Sequence, residues 1–241
     1  MIKKILKFIL KSVGLQRIPA PSLSSDLSLE SALARIHAKN IEIKTVVDIG
    51  ASNGSWTQIV KQYFPEAFYY LIEANPYHLS SLEEYKASSK NVDFVLAAAG
   101  DINGEIYFDA SDPFGGLASH DSSKDANVKV PVVTLNSLRH LHDLHPPFLI
   151  KLDTHGFEIP IFEGASELLN DTNIIVVETY NFNIAENSLR FHKICEYLED
   201  KGFRCVDICD PLFREKDLAL WQFDLFFIKS NHPIFLSDSW K

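Results

Sequence analysis

Cysteine is scarce in this chain. Only Cys195, Cys205 and Cys209 occur, an odd number with no Cys-x-x-Cys pair. That count gives no disulfide framework and reads as reduced core thiols in a cytoplasmic protein. An excess of positive charge is also lacking: the net charge is −9, which argues against a nucleic-acid backbone as partner. The N-terminal apolar stretch is broken by lysines. It is therefore too interrupted for a signal-peptide core and too short to span a bilayer. Nor does a glycine stand at the middle position of a dinucleotide fingerprint in the one glycine turn where it would matter. At 241 residues the chain has room for one α/β domain with a large core, and not for two.

What is present centres on Thr45-Val46-Val47-Asp48-Ile49-Gly50-Ala51-Ser52-Asn53-Gly54-Ser55-Trp56. The β-branched run predicts a short buried strand ending at an acid, then a glycine turn, then a helix from Trp56 to Phe64 stopped by Pro65. Such a unit brings backbone up to a ligand, and Gly50 and Gly54 allow close approach. The pattern Asp48-x-Gly50-x-x-x-Gly54 is similar to the first motif of S-adenosylmethionine-dependent methyltransferases, and Asp48 suits a cationic ligand better than a phosphate. A purely structural βα turn is the alternative.

A second apolar strand, Phe68 to Ile72, ends at Glu73-Ala74-Asn75-Pro76. An acid about 20 residues past the glycine turn is placed to accept ribose hydroxyls; the competing reading sets Glu73 in the positive field of the next helix. Asn75 followed by Pro76 predicts a helix start, with the helix running to Ser88. A third strand, Val92 to Ala97, precedes the small residues Ala98, Ala99 and Gly100, which leave space for an adenine ring. Asp48, Gly50, Ala51, Ser52, Asn53, Gly54, Glu73, Ala74, Asn75 and Ala98 are the candidate cofactor-binding residues.

The first twenty residues carry five basic side chains and no acid, leaving 18 basic against 32 acidic beyond, a net of −14. Ile2, Ile5, Leu6, Ile9 and Val13 share a helical face with Lys3, Lys4, Lys7 and Lys11 opposite. Residues 1–13 fit a helix lying on an anionic membrane surface at its inner face, or a helix packed on protein. A linker to Ser28 separates this segment from a methyltransferase-sized domain over 29–241, whose first helix, Leu29 to Ala38, covers the sheet. Asn103-Gly104, an edge strand from Glu105 to Ala110, a glycine-containing loop from Gly115 to Ala126 and a strand from Val128 to Thr134 form a small β insertion able to act as a lid. His120 in that loop reads as solvated. Leu135 to Leu144 is a helix whose His140 and His142 face different ways, so His140, His142 and His145 do not read as a metal site.

A fourth strand, Phe148 to Leu152, ends at Asp153-Thr154-His155-Gly156-Phe157-Glu158. Ligands bind outside the carboxyl ends of strands where strand order reverses, and the fourth strand neighbours the first there. Asp153 and His155 should thus face the reacting end, and they are the candidate catalytic residues. Capping of the next helix explains the glycine but not His155. Ile174 to Val177 is a fifth strand ending at Glu178, followed by a helix from Ser188 to Lys201. Phe203 to Ile208 and Phe223 to Ile228 complete the sheet as an antiparallel edge pair. No metal-ligand spacing appears, although Asp153, His155 and Glu178 could converge on an ion.

From Thr45 to Lys229 the chain resembles the FkbM-type family of S-adenosylmethionine-dependent methyltransferases. The resemblance is carried by Val47 to Gly54, Ile72-Glu73-Ala74-Asn75-Pro76, Val133 to Leu138, Ile150 to Glu158, Phe162-Glu163-Gly164-Ala165 and Phe223 to Phe227. The Asp-x-x-Gly-x-Glu stretch is the most family-specific piece. The family often has Asp where Asn136 stands and usually has Glu or Gln at 155, so a base role for His155 rests on imidazole chemistry and is not inherited. The resemblance implies a Rossmann-like, class I methyltransferase domain with a mostly parallel seven-stranded sheet and helices on both faces. It also implies S-adenosylmethionine as cofactor and methylation of a hydroxyl on a sugar, glycan or small metabolite. An NAD-type oxidoreductase and an inactive methyltransferase-like binding module are the rival readings.

Overall fold

The computed structural model describes residues 26–119, 128–185 and 188–240. The basic segment 1–13, most of the linker and His120 lie outside the described residues. In chain order the strands are β1 (Thr45–Ile49), β2 (Phe68–Glu73), β3 (Val92–Leu96), β4 (Ala98–Ala99), β5 (Gly104–Phe108) and β6 (Ala118–Ser119). They continue with β7 (Val128–Val133), β8 (Phe148–Leu152), β9 (Thr172–Tyr180), β10 (Phe203–Phe213) and β11 (Leu220–Lys229). The helices are α1 (Leu29–His37), α2 (Ser55–Val60), α3 (Leu79–Ser88), α4 (Leu135–Leu141), α5 (Glu158–Glu163), α6 (Ser166–Asn170) and α7 (Phe191–Asp200).

Seven strands form one sheet in the order β10-β11-β9-β8-β1-β2-β3. All run parallel except β11, which lies antiparallel between β10 and β9. The β-branched and aromatic strands β1, β2 and β8 are buried almost throughout, as central strands covered on both faces must be. Side-chain alternation splits their residues between two cores. Val47, Ile49, Ile150 and Leu152 pack under α4, α5 and α7 through Leu138, Phe162 and Leu198. Val46, Leu71, Leu149 and Val176 pack under α1, α2 and α3 through Leu33, Val60 and Leu82. Each such side chain, fully buried, contributes roughly 1.5–3 kcal/mol. The same alternation sends Asp48 and Lys151 to the second face, where they are register partners across β1 and β8.

Strand order reverses between β1 and β8, which opens a crevice beyond their carboxyl ends. A second sheet, ordered β4-β7-β5-β6, hangs over that crevice. Here the structure corrects three expectations. The strand expected at an edge from Glu105 pairs on both sides, with β7 and β6, because Ala118 and Ser119 close back onto it. The last two strands do form the expected antiparallel edge pair, β10 outermost and β11 inside it, where Phe226 and Phe227 fill both cores. Both are longer than expected: β10 continues through Pro211 with register shifts beyond Cys209, tolerable for an edge strand. Helices α2, α4 and α7 are shorter than their patterns predict: α2 and α4 loosen after Val60 and Leu141, and α7 starts only at Phe191.

Candidate active site

Three left-handed residues, Gly50 (φ 73°), Ser52 (φ 52°) and Gly54 (φ 80°), curl the chain leaving β1. A Cβ on Gly50 would fall 1.9 Å from the Asp153 carbonyl oxygen, so glycine lets the β1 and β8 ends meet. Five of the six N–H groups from Gly50 to Ser55 are engaged. Gly50 and Ala51 donate to the Ile72 carbonyl at 2.9 and 3.1 Å, Gly54 to the Ala51 carbonyl at 2.8 Å and Ser55 to Asn53 Oδ1 at 3.1 Å. Ser52 N–H donates to Glu73 Oε2 at 2.6 Å, and Asn75 N–H to Glu73 Oε1 at 2.7 Å. Glu73 thereby ties the turn to the end of β2, each oxygen keeping a lone pair. Burial pushes its pKa up against those two bonds.

Behind the turn lies a buried ionic group. Asp48 is fully buried; its Oδ2 accepts from Thr57 at 2.6 Å, and its Oδ1 has no hydrogen bond, with Lys151 Nζ 3.7 Å away. Burial raises the Asp48 pKa, opposed by Lys151 and Thr57. The Lys151 ammonium donates to Asp153 Oδ2 at 2.8 Å and lies over the Trp56 ring at 5.3 Å. Burial would strip its proton, but Asp153 and Asp48 outweigh that and raise its pKa. Burial likewise opposes ionisation of Asp153, and Lys151 reverses the balance, holding that carboxyl below its ordinary range.

The reacting end is built by the turn after β8. His155 (φ 50°) and Gly156 (φ 100°) are both left-handed, and buried Glu158 holds them by accepting from Gly156 N–H at 2.8 Å and Thr154 Oγ1 at 3.3 Å. The Glu of Asp-x-x-Gly-x-Glu therefore serves the turn itself. His155 Nε2 stands 3.7 Å from Asp153 Oδ1 and 3.6 Å from Glu178 Oε2, and its Nδ1 lies 3.5 Å from the Gly116 carbonyl. Its ring meets Tyr180 edge-on at 6.3 Å. Glu178 accepts from Gln222 at 2.6 Å and from the Tyr180 hydroxyl; burial, then Asp153, pushes its pKa up to about 8. Asp224, its register partner on β11, is pushed up to about 7 by burial.

These elements enclose a cavity of about 600 Å3, within the range of roughly 300–1,000 Å3 usual for small-molecule sites. The small sheet supplies its roof through Phe108, Pro113, Phe114 and Gly116. That roof is pinned by Asn75 to the Asp112 carbonyl at 3.3 Å, by His78 Nε2 to the Pro113 carbonyl at 2.7 Å and by Phe114 packed on His78. Of the residues singled out from sequence, Gly50, Ala51, Ser52, Asn53, Glu73, Ala74, Asn75, Ala98, Asp153 and His155 line the cavity. Asp48 and Gly54 do not: Asp48 sits behind the wall with Lys151, and Gly54 packs against the Tyr85 ring. Lys151, His78, Gln222 and Asp224 escape sequence reasoning. The signal for Lys151 is a lysine inside the apolar strand Phe148–Leu152. The histidines of 140–145 go separate ways: His140 to Glu167, His142 to Tyr70 and His145 to Asp143.

The methyltransferase FkbM domain family matches residues 48–205. Among curated proteins none matches the sequence. Solved structures similar to this chain include the precorrin-6y C5,15-methyltransferase of Geobacter metallireducens, at 15% identity and a TM-score of 0.46 over 86% of this chain and 92% of that one. Another is the 1,6-didemethyltoxoflavin-N1-methyltransferase of Burkholderia thailandensis, with bound 1,6-didemethyltoxoflavin and S-adenosylhomocysteine. It is 13% identical with a TM-score of 0.48, over 95% of this chain and 86% of that one. A SAM-dependent methyltransferase from Aquifex aeolicus is 12% identical with a TM-score of 0.45, over 92% and 97% of the two chains.

Proposed function

Because the chain belongs to the FkbM methyltransferase family, we propose that it methylates a hydroxyl of a sugar, glycan or small metabolite with S-adenosylmethionine as methyl donor. The observation that carries the choice of donor is the chemistry of the cavity wall. Among the described residues, Glu73, Asp153, Glu178, Asp210 and Asp224 line it against one ammonium, Lys151. Five of the six N–H groups from Gly50 to Ser55, which would cradle a pyrophosphate, are already engaged by Ile72, Ala51, Asn53 and Glu73. Such a wall favours a cationic sulfonium and disfavours a dinucleotide.

The residues fit the donor. Glu73 keeps lone pairs for ribose hydroxyls, and Ala97, Ala98 and Ala99 leave a flat space for an adenine ring beside the end of β3. S-adenosylmethionine supplies an electrophilic methyl group. The chain's own part is to hold an acceptor oxygen in line with that methyl and to draw off its proton. Asp153 and His155, with Glu178 beside them, are the polar groups at that end of the cavity. The roof from the small sheet narrows the cavity, tied to Asn75 and His78 at the donor end and approaching His155 through Gly116 at the other.

Calorimetric titration with S-adenosylmethionine, S-adenosylhomocysteine and NAD tests the proposal. Both sulfur ligands are expected to bind and NAD is not. Binding of NAD alone would return the site to the oxidoreductase reading.

A further inference from the structure

The cluster at the acceptor end sets one imidazole against two carboxyl groups. His155 Nδ1 faces the Gly116 carbonyl, an acceptor, which assigns the ring proton to Nδ1 and turns the Nε2 lone pair the other way. That lone pair looks at Asp153 Oδ1 at 3.7 Å and Glu178 Oε2 at 3.6 Å. Both distances are too long for a hydrogen bond. The imidazole lone pair thus faces two carboxyl groups that are hydrogen-bonded to each other across one small gap.

Their remaining valences are met from outside the gap. Lys151 donates to Asp153 Oδ2, Gln222 to Glu178 Oε1 and Tyr180 to Glu178 Oε2. The donors therefore orient both carboxylates and leave the gap open. All three ligand atoms lie within 4.8 Å of one another. A point equidistant from atoms so spaced is about 2.0–2.4 Å from each, the bond length of a divalent cation to imidazole nitrogen or carboxylate oxygen.

The geometry points to a binding site for one divalent cation held by Asp153, His155 and Glu178. One nitrogen and two carboxylate oxygens suit Mn2+, Fe2+, Zn2+ or Mg2+. Two ligands leave the ends of neighbouring parallel strands, β8 and β9, and the third stands in the turn capped by Glu158, so the set is rigid. An Nδ1–H directed at a backbone carbonyl is the usual outer contact of a metal-binding histidine. Three protein ligands leave coordination positions open, as in catalytic sites, and all three residues line the cavity. Resting on the methyl-transfer reading, the cation would grip the acceptor oxygen and lower its pKa, the hydroxyl proton leaving to solvent water. His155 is then a ligand, and its Nε2 takes no proton.

The test uses the full chain stripped with chelator and titrated with Mn2+, free ion being counted by electron paramagnetic resonance. One Mn2+ per chain is expected. Binding should weaken at least tenfold in Glu178→Gln and in His155→Ala, with near-UV circular dichroism confirming the fold. Tyr180→Phe, which removes only an outer hydrogen bond, should weaken it about 10–100-fold. No saturable Mn2+ binding by the intact protein, or unchanged affinity in these variants, overturns the site. A parallel S-adenosylmethionine titration in chelator separates the two readings: donor binding without Mn2+ binding removes the cation alone, and the reverse removes the donor assignment alone.

Discussion

Lys151 is the buried cation on which the site's charge balance depends, so its replacement by methionine is the most informative single perturbation. Methionine keeps most of the length of the side chain and removes the charge. At 3.7 Å from Asp48 Oδ1, an effective dielectric near 20 gives roughly 4–5 kcal/mol of attraction. The contact with Asp153 at 2.8 Å is closer still. Desolvation takes back part of both, but in the variant the two acids stay buried without their partner, a situation that costs about 3–5 kcal/mol. That is a large share of the roughly 5–15 kcal/mol that holds a domain folded. Urea denaturation at pH 7.5, followed by circular dichroism, measures it. The loss carries a pH signature. Without Lys151 the folded-state pKa of Asp48 rises further above its unfolded value, so the native state binds the extra proton. Stability of Lys151→Met should therefore rise as pH falls from 7.5 towards 5, by up to about 1.4 kcal/mol per pH unit for each acid affected. Adding Asp48→Asn should restore part of the loss at neutral pH, because the amide oxygen would still accept from Thr57 and the side chain would carry no charge. A loss below about 1 kcal/mol, or one that does not shrink on acidification, would refute the account of Lys151 as the compensating charge.

Glu73→Ala is expected to weaken S-adenosylmethionine binding ten- to a hundredfold, since charge-assisted bonds of this kind contribute roughly 1.5–3 kcal/mol; undiminished affinity in calorimetry of a folded variant removes the ribose role. Gly50→Val should damage the fold before it damages binding, because its Cβ meets the Asp153 carbonyl at 1.9 Å and φ is 73°. A melting temperature equal to wild type would contradict that close approach. Glu158→Ala leaves the Gly156 N–H without its acceptor, with an expected loss of about 1–3 kcal/mol. Its methyl-transfer rate should drop while donor affinity holds; an unaltered rate would show that Glu158 does not position His155.

The parallel core is legible because its strands are short apolar runs between turn signals. The pairing of β8 with β1 follows from the reversal rule for such sheets. The misread parts are those where tertiary context overrides pattern. Strand β5 alternates as an exposed edge does, with Glu105 and Tyr107 outward, yet Ala118 and Ser119 pair with it. Two residues are too short a run to announce a strand. The antiparallel edge pair is legible, but not which of its strands lies outside, since Phe203 to Ile208 and Phe223 to Ile228 both mix apolar residues with isolated polar ones.

For the site, sequence spacing identifies the loops but not the direction of their side chains. Asp48 reads as facing the ligand, because an acid at a strand end beside a glycine turn is often placed so. The alternation of β1 decides otherwise: Ile49 takes the first core, and Asp48 points to the second with Val46. Lys151 is visible as the single charge in Phe-Leu-Ile-Lys-Leu, and a lysine at the centre of a fully buried strand demands an acid nearby. Asp48 in Thr-Val-Val-Asp-Ile makes the same demand. Each holds the fourth position of a five-residue strand, and the parallel register runs without offset from Thr45 and Phe148 to Ile49 and Leu152. Two buried charges of opposite sign at matching positions of neighbouring central strands are therefore one ion pair, and that match orients Asp153 towards the cavity.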